Sequence, residues 1–230
     1  IDLDLGDSQI ESALNIAKAY KAAGKKTIAV VYANYPVMVE DLQASKDVDA
    51  ILFAGYGGQY GGKATAQVLF GEYAPTGRLV STWYKDLELF PKLDSYSLPQ
   101  GTLGRTHDTM DGVFTDGFTM DDIDDRITVD MTAADVVGTG LTYKYLTDAQ
   151  TADHVTYPFG YGLSYSSFAY KNLKAGAQNG TSFSVSLDVT NTGSIKTSEV
   201  VQVYMSKTGS AYGNAAAIKS LAGFEKVELA

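Results

Sequence analysis

The amino-acid sequence predicts an α/β fold, a mostly parallel sheet sandwiched by helices, followed by a partial all-β sandwich. Three observations carry this reading. Helix-like and strand-like segments alternate α-β-α-β-α-β from residue 7 to residue 84, an order that lays parallel strands side by side with helices packed on them. The strands of that half are short apolar runs, as expected where both faces are covered. After residue 165, apolar and polar residues alternate with period two between turn signals, the pattern of half-buried antiparallel strands. The expected domains are 1–165, an α/β sandwich domain, and 166–230, an immunoglobulin-like domain.

Each element has its own signals. Residues 7–24 read as a helix, with Ser8 and Glu11 as a capping box. Ile10, Ala13, Leu14 and Ala17 fall on one face, and Gly24 supplies the stop. TIAVVYA, Thr27 to Ala33, reads as a strand; a short helical segment follows around Val37 to Ala44. A second strand, Ala50 to Ala54, leads into a glycine loop and a helix from Gly62 to Phe70, and GRLVSTWY, Gly77 to Tyr84, reads as a third strand. Residues 91–135 are turn-rich and acidic, with DDIDD at 121–125. That run lacks the glycine and terminal glutamate of an EF-hand loop, so a solvated insertion is expected and no metal site is assigned. FAYKNLKA (168–175), SFSVSLDVTN (182–191) and SEVVQVYMSK (198–207) then alternate, separated by QNG and NTG turns. An immunoglobulin-like sandwich needs about seven strands, so this one is expected to be incomplete. Phe224 to Leu229 would then carry an unpaired edge.

Composition narrows the function classes. The chain has 230 residues, 45% hydrophobic and 20% charged, enough to bury a real core. A net charge of -9 argues against sequence-independent nucleic-acid binding, which needs a basic surface to neutralise phosphates. No apolar stretch approaches the roughly 20 residues of a membrane helix. Cysteine is absent, which removes disulfides and thiolate metal sites. The chain begins at Ile1 and stops after FEKVELA, and it reads as an interior piece of a longer polypeptide. Sixteen tyrosines fit half-buried strands and domain seams, and they also suit sugars, whose faces stack on aromatic rings.

GYGGQYGGKAT, Gly55 to Thr65, raises the sharpest functional question, because from Gly57 it reads G-x-x-x-x-G-K. A phosphate loop needs a hydroxyl next to the lysine to ligate Mg²⁺. Here Ala64 follows Lys63, and Thr65 lies about 100° further round the helix. The nucleotide reading fails on that chemistry. Glycines at the carboxyl end of a parallel strand instead let the chain turn sharply beside the ligand crevice of an open sheet. Tyr56, Gln59 and Tyr60 would then stand at the rim, side chains suited to a polyhydroxylated ligand; a tight turn without a ligand explains the same residues.

The stretch from AILFAGYGGQYGGKATAQVLFGEYAPTGRLVSTWY resembles the signature of glycoside hydrolase family 3. The resemblance continues through LTYKYLT (141–147), YPFGYGLSY (157–165), VTNTG (189–193), EVVQVY (199–204) and LAGFEKVEL (221–229). It implies most of an α/β sandwich domain and the start of a fibronectin type III-like domain at 166–230, with a barrel domain elsewhere in the polypeptide. It also implies a retaining, exo-acting β-glycosidase for terminal glucose or xylose, using two carboxyl groups about 5–5.5 Å apart. The family's nucleophile belongs to the barrel, and its acid/base glutamate would fall shortly upstream of Ile1. No catalytic residue is therefore assigned in this chain. Glu11 and Glu40 have helical explanations, and Glu72 occupies a turn position. Gly58 departs from the usual proline, and Tyr60 from the glutamate or serine of relatives, which leaves the preferred sugar open.

The expected partners are a carbohydrate substrate and the barrel domain of the same polypeptide, with neither nucleic acid nor a membrane, and no cofactor. The expected substrate-binding residues are Tyr56, Gln59 and Tyr60, on one wall of a sugar cleft. A non-catalytic glycan-binding or scaffolding relative is the alternative reading. Export from the cytoplasm is a family-level expectation only, and the Asn179-Gly180-Thr181 acceptor pattern adds little to it.

Overall fold

The computed structural model describes residues 3, 5–88, 142–177, 179–180, 182–206 and 217–230. The acidic insertion expected at 91–135 lies outside these residues. The chain divides into two compact units. One is built from Ile1–Lys85, Val155–Met205 and Ser220–Ala230, the other from Asp86–His154 and Ser206–Lys219. The described structure is mixed α/β, with helices and small sheets. Among the described residues, no helix is long and apolar enough to cross a membrane.

In the first unit, helix α1 spans Asp7–Ala22. Its start corrects the expected capping box. Gly6 is the N-cap, without any side-chain cap, and the amides of Gln9 and Ile10 donate to the Gly6 carbonyl. Ser8 is thus already inside the helix, where its hydroxyl cannot reach the first free amides. The other end forms as expected. Gly24 takes φ +68°, its amide donates to Lys21 O, and Lys25 N donates to Tyr20 O, which closes a Schellman turn.

Strands β1 (Ile28–Val31) and β2 (Ala50–Phe53) pair in parallel, with Ile28 opposite Ala50 and Val31 opposite Phe53. Ile28 and Phe53 stay 45% and 39% exposed, so this pair is not covered on both faces as the apolar runs imply. The short helix α2 (Glu40–Ala44) lies between them in sequence. Val31, Val37, Val39, Leu42 and Trp83 form the buried core, with Ala13 and Leu14 of α1 packed against it. Ala17, on the same face, is fully buried.

The third parallel strand is not formed. Of the expected 77–84 segment only β3, Trp83–Tyr84, is strand, and it pairs antiparallel with β4, Val155–Tyr157. The cause is competition for backbone groups. The Leu79 amide donates to Tyr161 O, and the Leu79 carbonyl accepts from Gly160 N. With both polar groups engaged by the aromatic-glycine segment, Leu79 has none left for a ladder with β2.

The period-two segments form strands where expected. Strand β5 (Phe168–Ala175) pairs antiparallel with β6 (Val185–Asn191), and β7 (Thr197–Met205) with β8 (Ser220–Leu229). The β5–β6 register shifts between Lys171 and Lys174. Asn172 sits there at φ 55°, a conformation asparagine tolerates better than most residues, and its amide donates to Asp188. Residues 224–229 are paired along one edge by β7. Among the described residues no strand covers their other edge, and Phe224 is 70% exposed.

Helix α3, Gly61–Leu69, follows β2 in the first unit, and the second unit contains helix α4, Asp148–His154. It starts with a capping box: Gln150 N donates to Thr147 Oγ1 at 3.2 Å, and Thr147 N to Gln150 Oε1 at 3.1 Å. Leu146 is buried beside it. Lys144 O accepts from the amides of Ile218 and Lys219.

Candidate functional site

The glycine bend follows β2 directly. Gly55 and Gly58 take φ +57° and +58°, the left-handed region where a side chain is costly. A Cβ on Gly57 would collide with the Gly61 backbone. A single 3₁₀ turn, Gly58–Tyr60, then hands the chain to helix α3, Gly61–Leu69. The glycines are needed by the backbone, and the turn they allow presents the other side chains outward. Tyr56 and Tyr60 are 77% and 68% exposed, and Gln59 is exposed between them. Thr65, the displaced hydroxyl of the nucleotide pattern, accepts a 2.8 Å hydrogen bond from Tyr32.

The first unit also holds a cleft of about 700 Å³ beside this bend. Gly57 and Gly61 contribute to its wall, whereas Tyr56, Gln59 and Tyr60 do not. Helix α3, the 72–77 loop, and strands β7 and β8 complete it.

A second cluster was not foreseen as a unit, although its residues lie in quoted motifs. Arg78 pairs with Glu199 at 2.5 Å, with side chains only 11% and 9% exposed. The other Glu199 oxygen accepts from Tyr170 OH at 2.8 Å. Burial and this carboxylate push the Tyr170 phenol up to about 12. Gln202 donates to Gly160 O and accepts from Tyr204 OH. Gly160 takes φ +81°, and a Cβ there would force the tips of these two side chains to shift. Tyr157 stacks on Tyr161 at 4.9 Å and meets Trp83 edge-on, which in turn meets Phe53. The motifs at 77–79, 157–165 and 199–204 thus converge as a partly exposed seam around a buried ion pair. Its signal in the sequence was a charged residue, Glu199, on the buried face of β7 with Thr197 and Val201, a position that demands a partner.

The glutamates set aside earlier have structural partners or open positions. Glu40 accepts from Thr156 Oγ1 at 3.1 Å, and Glu72 from Gln67 Nε2 at 3.0 Å. Glu11 is exposed on α1. Asp49 is held by Lys26 at 2.7 Å and by the Thr27 amide at 2.9 Å, which draw its carboxyl down to about 2.

In the second unit, His154 Nδ1 lies 3.0 and 2.9 Å from the two Asp86 oxygens. With Glu88 they form the one group among the described residues that could hold a metal ion. The imidazole–carboxylate hydrogen bond accounts for their proximity, and it raises the His154 pKa above its ordinary value.

A mixed α/β domain with a glycine bend at the end of a parallel strand, tied by a seam around a buried ion pair to antiparallel β-pairs, defines the class of this chain. Over residues 2–165 it matches the family described as the glycosyl hydrolase family 3 C-terminal domain, and it belongs to that family. It is 34% identical over 214 residues to a xylan 1,4-beta-xylosidase of Xylanibacter ruminicola, covering 92% of this chain and 19% of that protein. It is 33% identical over 214 residues to beta-glucosidase B of Emericella nidulans, covering 93% of this chain and 22% of that protein. Among solved structures, beta-glucosidase from Kluyveromyces marxianus in complex with glucose matches 99% of this chain and 23% of its own, at 29% identity and a TM-score of 0.73. Beta-glucosidase 3B from Thermotoga neapolitana in complex with alpha-D-glucose matches 99% and 27%, at 25% identity and a TM-score of 0.71. The chain thus spans from just under a fifth to just over a quarter of the length of these proteins.

Proposed function

We propose that this chain is the C-terminal portion of a retaining, exo-acting β-glycosidase that removes terminal β-linked glucose or xylose. Its glycine bend forms one wall of the sugar cleft, with Tyr56, Gln59 and Tyr60 as substrate contacts. The reacting carboxyl groups come from the rest of the polypeptide, including a barrel domain that this chain partners. Residues 1–165 form the α/β sandwich domain, and 166–230 belong to a fibronectin type III-like domain; the family match ending at residue 165 and the antiparallel pairs beyond it support that division.

The observation that carries the reading is the exposure of Tyr56, Gln59 and Tyr60 on a glycine bend at the carboxyl end of β2. Ligands of open α/β sheets bind beyond the carboxyl ends of the strands. Aromatic and amide side chains left in solvent at such a position are available to a ligand. The test is kinetic. In the polypeptide that carries this chain, Tyr60→Ala and Gln59→Ala should raise KM for aryl β-glucosides or β-xylosides by about tenfold without altering the melting temperature. Unchanged kinetics in both variants would remove the bend from the site. A carrying polypeptide with no activity on either glycoside would favour the non-catalytic alternative.

A further inference from the structure

We infer that the cleft between β2, the bend glycines Gly57 and Gly61, α3, the 72–77 loop and strands β7 and β8 is a second saccharide site, distinct from the exposed Tyr56, Gln59 and Tyr60 side chains, which do not line it. Its occupant is a neutral β-linked oligosaccharide. The choice of β-linked sugars rests on the function proposed above, whereas the choice of a neutral, polyhydroxylated ring rests on the cleft itself.

Size comes first. A cleft of about 700 Å³ falls within the range of roughly 300–1,000 Å³ typical of small-molecule sites. Its charges come next. Glu72 and Glu228 are matched by Lys196 and Lys226, so the lining carries two formal charges of each sign. A phosphate or carboxylate ligand gains nothing over an uncharged one here. A hydroxyl group, by contrast, donates to a carboxylate and accepts from an ammonium, and charge-assisted hydrogen bonds are stronger than neutral ones. Two of these groups are already oriented. Lys226 Nζ donates to Thr76 Oγ1 at 3.0 Å, and Glu72 accepts from Gln67 at 3.0 Å.

The remaining lining supplies the apolar half of sugar recognition. Tyr73 is 63% exposed and Phe53 39%, and both line the cleft with Pro75 and Ile195. A pyranose presents a face of C–H groups that packs on an aromatic ring while its rim of hydroxyls reaches the charged side chains. A flat apolar ligand would offer the four charged groups no hydrogen bond, and a small ion would leave the rings uncovered. The sugar ring satisfies both sets of groups at once.

The test uses the polypeptide that carries this chain and sulfur-linked analogues of cellotetraose and xylotetraose, which are not hydrolysed. Calorimetry on the wild type should resolve two binding events. In Glu228→Gln and Tyr73→Ala one event should weaken by at least about tenfold, with kcat/KM on aryl monoglycosides held within about twofold. Lys226→Met, which keeps most of the apolar stem and removes the ammonium, is the second polar variant, and melting curves establish that each variant is folded. Tyr60→Ala should weaken the other event. Two undiminished events in folded Glu228→Gln and Lys226→Met would overturn the proposal. So would a single event in the wild type, or loss of aryl glycoside hydrolysis in these variants, which would make the cleft part of the active site. If the polypeptide proves inactive yet Glu228→Gln still weakens one of two tetraose-binding events, the second site stands and the enzymatic reading falls.

Discussion

The glycine bend at 55–61 and the seam at 77–79, 157–165 and 199–204 use similar residues for opposite purposes. Both combine left-handed glycines with tyrosine and a glutamine. At the bend, the glycines shape a turn that leaves Tyr56, Gln59 and Tyr60 in solvent. At the seam, Gly160 makes room for Gln202 and Tyr204, and Tyr170, Gln202 and Tyr204 are tied by hydrogen bonds around a buried ion pair. A motif that stands out in a sequence is therefore no guide to its role until its burial is known. Exposed polar and aromatic groups are available to a ligand; buried, mutually bonded ones hold the fold.

The comparison can be broken most directly at Arg78. Replacing it with alanine leaves the Glu199 carboxylate buried without its cation, and breaking such a pair costs about 3–5 kcal/mol. Urea denaturation should report that loss, while the double replacement Arg78→Met with Glu199→Leu should recover much of it. A loss below about 1 kcal/mol, the level of an exposed pair, would place the seam in solvent. Gly160→Ala comes next. At φ +81° and against Gln202, it should cost more than about 1 kcal/mol. Tyr56→Ala, at the bend, should change stability by no more than about 0.5 kcal/mol; a larger effect would mean that the bend, too, is structural.

The smallest effect sharpens the comparison with exposed charge. Asp49 has its carboxyl drawn down to about 2 by Lys26 and the Thr27 amide. A depressed folded value contributes stability that is complete above the ordinary carboxylate range near 4 and lost as pH falls toward about 2. Denaturation curves should therefore show Asp49→Asn losing less stability than the wild type across that window. Equal slopes would mean that the Lys26 contact does not persist in solution.

Much of the architecture was legible because it rests on local chemistry. Gly24 ended α1 through a left-handed turn, and β5 covers the alternating FAYKNLKA segment throughout. The Thr147–Gln150 cap has the same local character, and its T-x-x-Q spacing was there to be read. The Ser8–Glu11 box failed because Gly6 supplied an earlier start, a choice between neighbouring turns that differ little in energy. The exposed bend was foreseen from its glycines, but the seam was not, because no spacing rule relates Arg78 to Glu199 across 121 residues.

Taken alone, the sequence determined the kinds of local element, the places where only glycine fits, and membership of a family through motifs in order. Those properties depend on neighbours within a few residues, and periodicity or backbone sterics reveal them. Tertiary structure alone decided that Leu79 would bond to residues 160 and 161 rather than extend the parallel sheet. It also decided that Glu199 would be buried and paired, and that a cleft would open beside the bend. Each of these depends on which distant groups compete for one hydrogen bond or one charge, and that competition is settled only when the chain has folded.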